Sequence, residues 1–215
     1  MRQFICLLIL SILFNLGYAQ TQKVENTQYL FPEFTSGTIL MKSGVKDEAM
    51  LNYNSLTGKM ILEYKGKKLA IDLAEQVDTI YVAGRKFFPL NNKFVEIIYS
   101  AKYELYLEHK CELKDPGKPA GYGGTSQISR VTNYSTYSTG NQTYVTNLPE
   151  DTETNPYLIY WLKRAGKLSR FIDIRQMSKL FDERAKLFKK YVKENKVSEK
   201  DPASVVALLK YLEEH

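Results

Sequence analysis

The clearest pattern in the chain is an alternation over residues 102–114. Tyr103, Leu105, Leu107, His109, Cys111 and Leu113 fall on one side, and Glu104, Glu108, Lys110 and Glu112 on the other, with Tyr106 among them. Successive side chains of a strand point to opposite faces of a sheet, so this period of two predicts a half-buried strand with its odd-numbered face inward. Shorter runs precede it at 37–43, 48–54, 59–65, 68–72, 77–84 and 94–100, with a connector over 73–76. The turns between them carry Gly, Asn, Asp or Ser, which supply positive φ or local side-chain hydrogen bonds. Gly66-Lys67 is a two-residue link with glycine first, which suits a tight hairpin. Connections this short favour antiparallel neighbours.

The alternation stops at residue 115. Pro116, Gly117, Pro119, Gly121, Gly123 and Gly124 argue against regular structure at the start of 115–151, and the remainder is rich in Ser, Thr, Asn and Tyr. An irregular loop is the expectation, and loops of this length are usually functional or disordered. Two further strands, 157–162 and 168–173, flank a turn at Gly166, with Trp161 expected to anchor core packing. The chain ends in helices. Asp173 and Gln176 have the spacing of a capping box, and Met177, Leu180, Phe181, Arg184, Phe188, Tyr191 and Val192 keep a 3.6 period as far as Lys196. Asp201-Pro202 reads as an N-cap and first-turn pair, opening a helix with Val205, Val206, Leu208, Leu209 and Leu212 inward. The expected fold is α+β: an antiparallel β-sheet meander of six to eight strands, in part rolled, followed by a C-terminal helical hairpin. A polar leader over 20–36 precedes a β domain over 37–172, and the hairpin over 173–215 packs on that domain.

Export changes the later counts. Residues 1–19 combine Arg2, an apolar run over 4–14, and small residues Gly17 and Ala19, which reads as a secretory signal peptide cleaved near Ala19-Gln20. The run of about 11 apolar residues falls short of the roughly 20 that cross a bilayer. The expected location is periplasmic or secreted. Cys6 leaves with the signal, so Cys111 has no partner in its own chain and a disulfide scaffold is excluded. Residues 161–215 hold 14 basic and 8 acidic side chains, whereas the rest of the mature chain holds 15 and 16. The basicity therefore belongs to the C-terminal segment, and in an exported protein it points to anionic lipid or acidic polysaccharide rather than nucleic acid.

Candidate chemistry is sparse. His109 and Cys111 share a strand face, the raw material of a thiolate nucleophile. Positions i and i+2 of a strand stand about 6–7 Å apart, however, and both residues point to the expected core. Core packing accounts for them better. No metal is expected: the histidines are His109 and His215, and the carboxylates at Asp47-Glu48, Asp115 and 150–153 lack the order of a calcium loop. No cofactor is expected either, since Gly121-Tyr122-Gly123-Gly124 lacks the Lys-Ser/Thr ending of a phosphate loop. The candidate ligand-binding residues are Tyr122, Tyr134, Tyr137 and Tyr144. Tyrosines among short hydroxyl and amide side chains stack on sugars or grip a peptide at little rotamer cost, although a solvated loop covering the sheet has the same composition. Asn133-Tyr134-Ser135 and Asn141-Gln142-Thr143 are glycosylation sequons in that run. Lys179, Lys186, Lys189, Lys190 and Lys193 on the penultimate helix are candidates for membrane docking, beside the plain reading of a solvated charged face.

The strand-turn run 51–65, the segment 157–171, and Leu180-Phe181 leading to Lys189-Lys190-Tyr191-Val192-Lys193-Glu194-Asn195-Lys196 resemble uncharacterised secreted proteins common in Bacteroidota-type bacteria. The resemblance implies a cell-envelope location and carries no activity. The expected function is therefore a non-catalytic envelope module that binds a partner protein or glycan through the tyrosine-rich region. The alternatives are a small hydrolase whose carboxylates converge only in three dimensions, and a structural envelope protein docked on an anionic membrane surface by its basic helix. An outer-membrane barrel is disfavoured, because the chain ends in helices rather than an aromatic strand.

Overall fold

The computed structural model describes residues 28–72, 74–114, 118–120, 124–126, 136–139, 142–145 and 153–215. The expected signal peptide, the first part of the leader, Tyr122 and Tyr134 lie outside the described residues. The strands are β1 Thr35–Met41, β2 Lys46–Asn54, β3 Lys59–Tyr64, β4 Lys67–Ala70, β5 Val77–Val82, β6 Arg85–Leu90, β7 Lys93–Ser100, β8 Glu104–Lys114, β9 Lys118–Ala120, β10 Gly124–Ser126, β11 Thr136–Thr139, β12 Gln142–Val145, β13 Glu153–Arg164 and β14 Lys167–Phe171. Twelve of them form one open sheet in the order β11-β12-β4-β3-β2-β1-β5-β6-β7-β8-β13-β14, and β9 and β10 pair separately. Every pairing in these sheets is antiparallel.

The α+β class, the antiparallel sheet and the helical end agree with the sequence reading. The sheet is longer than six to eight strands for two identifiable reasons. β6 carries Pro89 and little alternation, so its pattern is weak. The stretch read as an irregular loop supplies β11 and β12, which extend the sheet beyond β4.

The sheet curls without closing. The turn after β2 reaches across to β7 and β8: Phe94 N donates to Gly58 O at 2.8 Å and Cys111 N to Ser55 O at 3.2 Å. Gly58 has φ +73°, and a Cβ there would meet the Lys93 side chain at 3.0 Å. Gly37, between β2 and β5, is equally constrained, since a Cβ would come 2.6 Å from the Tyr81 carbonyl oxygen. Inside the curl lies one core, with Phe31, Leu51, Tyr53, Met60, Ile80, Phe87 and Phe94 buried. The later part of the expected leader belongs to it. Asn52, itself buried, accepts from Phe31 N at 3.1 Å and donates to Phe31 O at 2.9 Å, which fastens the incoming strap to β2.

A second core lies between β8, β13 and β14 and the helices, with Tyr103, Leu105, Leu107, Tyr160, Phe171, Phe181, Phe188 and Leu209 buried. Leu105, Leu107 and Cys111 are buried as the alternation requires. The other face of β8 is not solvent, however. Tyr106 is covered by Phe88 at 5.9 Å, and Glu108 is buried, accepting from Lys93 Nζ at 3.0 Å and from Trp161 Nε1 at 3.1 Å. Trp161 is half-exposed and serves as a donor to that carboxylate rather than as a core anchor.

The helices are α1 Ile174–Ser178, α2 Ala185–Asn195 and α3 Pro202–Glu214, with a 3-10 segment Lys179–Arg184 joining the first two. The apolar period runs unbroken from Met177 to Val192, yet Phe181 leaves helical geometry at φ −130° and ψ 36°. Arg164 of β13 donates to the Leu180 carbonyl and sets its guanidinium 5.0 Å from the Phe181 ring centre, so a side chain from the sheet stabilises the break. The period survives because both sides of the break face the same core. At the start of α1, Asp173 Oδ1 accepts from Gln176 N at 2.7 Å. Asp173→Ala is expected to lower stability by about 1 kcal/mol in urea unfolding, with Asp173→Asn retaining most of it; an unchanged midpoint for the alanine variant would show that the cap is not used.

Candidate functional site

The densest set of ionisable side chains in the curl comes from three adjacent strands. Arg85 opens β6, Glu96 sits mid-way along β7 and His109 mid-way along β8. Arg85 Nε donates to Glu96 Oε1 at 2.7 Å, and its Nη2 to Glu96 Oε2. His109 Nε2 lies 2.8 Å from Glu96 Oε2 and 2.6 Å from Arg85 Nη2. The Phe31 and Phe87 ring centres stand 5.5 and 5.6 Å from the guanidinium carbon, and Tyr53 meets the imidazole edge-on. Glu96 and His109 are each 9% exposed. Burial by itself would raise the Glu96 pKa. The hydrogen bonds and positive charge of Arg85, with His109 adding to them, outweigh it and hold the carboxyl at about 2.

Arg85 also borders an open cleft of about 290 Å³, whose walls include Ser36, Thr38, Glu48 and Tyr81. Cys111 and His109, which the sequence reading assigned to core packing rather than to a nucleophile, are both buried. Burial pushes the Cys111 thiol up to about 11, against the smaller opposing effect of Lys110, so it stays protonated at neutral pH. Among the described residues, Glu96, Glu104 and Glu183 hold their carboxyls below the ordinary pKa through hydrogen bonds to neighbouring groups, opposite to what a general acid needs.

The tyrosine-rich run occupies a different place, the far edge of the sheet. Tyr137 on β11 and Tyr144 on β12 are register partners, and Tyr144 also pairs with Leu69 of β4. The fold thus brings two of the four candidate tyrosines together. A sequence signal for this hairpin exists: Gly140-Asn141 separates two short runs rich in Thr and Tyr, both good strand formers. The candidate lysines divide. Lys186, Lys189, Lys190 and Lys193 lie on α2 at i, i+3, i+4 and i+7, one stripe, and all are exposed. Lys179 is exposed too, but on the 3-10 segment across the break at Phe181. Arg85 and Glu96 were not among the sequence candidates, because no spacing rule connects positions on separate strands.

Fold and site together define an α+β protein: an open, curled antiparallel sheet, one end covered by helices, with an Arg–Glu–His cluster inside the curl. No family model matches the chain, and neither the curated proteins nor the solved structures contain a match to it.

Proposed function

We propose that the chain is an exported, non-catalytic binding module of the cell envelope that captures a partner protein segment or a glycan at the β11 edge of its sheet. The observation that carries this reading is the position of the tyrosine-rich run: it supplies the last strand of a twelve-stranded sheet, with Tyr137 and Tyr144 in register. An edge strand has main-chain donors and acceptors on its outer side without a strand neighbour, and these pair readily with an added strand. Tyrosine among serine and threonine is also the residue mixture that adaptable binding surfaces use. Export is inferred from residues 1–19.

The test compares the mature chain with a Tyr134→Ala, Tyr137→Ala, Tyr144→Ala variant in capture from the native envelope fraction and in co-sedimentation with isolated cell-wall glycan. A loss of at least about tenfold in one of the two is expected, since truncating a central interface tyrosine commonly costs about 2 kcal/mol or more. Unchanged capture in both would refute the reading.

A second reading, docking on an anionic membrane, is favoured by the α2 stripe. Four exposed lysines within two turns of helix carry no acidic partner among the described residues. Each contributes about 1 kcal/mol near a negative surface. Binding to phosphatidylglycerol vesicles is expected to fall steeply with added salt and to vanish when all four lysines become glutamine. Salt-independent binding counts against it.

A further inference from the structure

The outer face of the sheet, opposite to both cores, carries the open cleft of about 290 Å³ at β1, β2 and β5. Paired residues on adjacent strands share a face, so the registers set Glu48, Thr38, Tyr81 and Lys86 in one row across β2, β1, β5 and β6. Met50 and Ser36 belong to the next row. Neighbouring strands stand about 4.8 Å apart, so the Glu48 and Tyr81 backbones flank Thr38 about 10 Å from each other. Large side chains on either side of small ones leave a hollow between them. The Arg85 guanidinium is held by Glu96 on the opposite face, which leaves Glu48 as the charged group facing the cleft.

Further along the same face the polar groups satisfy one another. Glu104 accepts from the Tyr106 hydroxyl and from Lys163 Nζ, and Glu108 accepts from Trp161 Nε1 and from Lys93 Nζ. At the cleft, the Ser36, Thr38 and Tyr81 hydroxyls and the Glu48 carboxylate have no partner among the described residues. Beside these free donors and acceptors stand two apolar surfaces, Tyr81 at 44% and Met50 at 43% exposed. We propose that this cleft binds one uncharged sugar unit of a glycan, its C–H face against the Tyr81 ring and its hydroxyls on Ser36, Thr38 and Glu48. A sugar ring has apolar faces and a rim of hydroxyls, and a concave site with an aromatic wall and a few convergent polar groups matches both.

The setting narrows the ligand further. β1 lies between β2 and β5 with strand partners on both sides, so its main chain is taken and recognition falls to side chains. Strand addition, the usual way to hold an extended peptide on a sheet, is closed here. Glu48 accepts from sugar hydroxyls but repels a uronic acid at close range, so the cleft selects uncharged units. Lys86 reaches Tyr81 from the β6 side, with Nζ 5.9 Å from the ring centre, and the cleft lies on the β1 side. The inference does not rest on the β11 edge being a binding surface.

The experiment titrates the full mature chain with cellotetraose, chitotetraose, maltotetraose and tetragalacturonate, followed by amide shifts and by saturation transfer from the Tyr81 ring. At least one uncharged probe is expected to bind, with the shifts centred on Ser36, Thr38, Glu48 and Tyr81, and to bind more tightly than tetragalacturonate. Tyr81→Ala is expected to weaken that binding at least about tenfold, as loss of a central aromatic contact does. Glu48→Ala is expected to weaken it about fivefold, the worth of one hydrogen bond. Both side chains are exposed, so both variants are expected to unfold at nearly the wild-type urea midpoint. A Tyr137→Ala, Tyr144→Ala variant is expected to keep the affinity, which separates the cleft from the β11 edge. No shift at the four cleft residues with any uncharged probe at about 10 mM would overturn the proposal. So would tighter binding of tetragalacturonate, an unchanged affinity in Tyr81→Ala, or a loss in the edge variant.

Discussion

Replacing Tyr53 with alanine is expected to lower the stability of the protein by about 3–5 kcal/mol, the range for removing a fully buried aromatic side chain. Tyr53 is 0% exposed and its ring stacks on Phe87 at 5.5 Å. Its hydroxyl donates to the Phe94 carbonyl at 3.0 Å, so one side chain from β2 spans the interior of the curl to β7. The loss has two parts that are separable. Tyr53→Phe removes only the hydroxyl and is expected to cost about 1 kcal/mol, the usual net worth of a buried hydrogen bond. The remainder is ring packing, and it should couple to Phe87→Ala in a double-mutant cycle. Urea unfolding followed by Trp161 fluorescence measures the wild type and the four variants. A cost below about 1 kcal/mol for Tyr53→Ala would mean that the curl is not held by a shared core, because the cavity would then have collapsed without resistance.

The second large effect is expected at Glu96, and it depends on pH. The folded pKa of about 2 is depressed from the ordinary 4.5. A carboxyl depressed in the folded state contributes stability that is fully present above its unfolded pKa and is lost as pH falls through the folded one. The window therefore runs from about 4.5 down to about 2, and the shift corresponds to about 3 kcal/mol. Glu96→Gln is expected to be less stable than wild type by roughly that amount at neutral pH, since the largely buried Arg85 guanidinium loses its counter-charge. The two proteins should converge as pH approaches about 2. Unfolding midpoints across this range decide the matter: a gap between them that stays constant would show that Glu96 acts by shape rather than by charge.

The two effects concern parts of the chain that differ in how far the sequence revealed them. Tyr53 belongs to a strand run that alternation makes visible. Leu51 and Tyr53 point inward together because a strand presents every second side chain to the same face. The helix starts at Asp173 and Asp201 were visible for an equally local reason, since a capping carboxylate needs only the amides two or three residues ahead. Glu96 looked like one more charged residue. Its partners stand 11 and 13 positions away on neighbouring strands, and only the registers of β6, β7 and β8 bring them together.

Similar limits governed the rest. Glu108 falls on the polar side of the β8 alternation, yet Lys93 and Trp161 approach it from β7 and β13, so the middle of the strand is buried on both faces. The helix break at Phe181 depends on Arg164, and the apolar period passes through the break undisturbed. The sequence by itself determined where most of the strands and the helix starts lie and which of their faces is apolar, because backbone geometry imposes periods of two and 3.6 within each element. Strand order, the curl of the sheet, the edge position of Tyr137 and Tyr144, and the meeting of Arg85, Glu96 and His109 were decided by tertiary structure alone. Each depends on contacts between elements, whose relative placement no local period encodes.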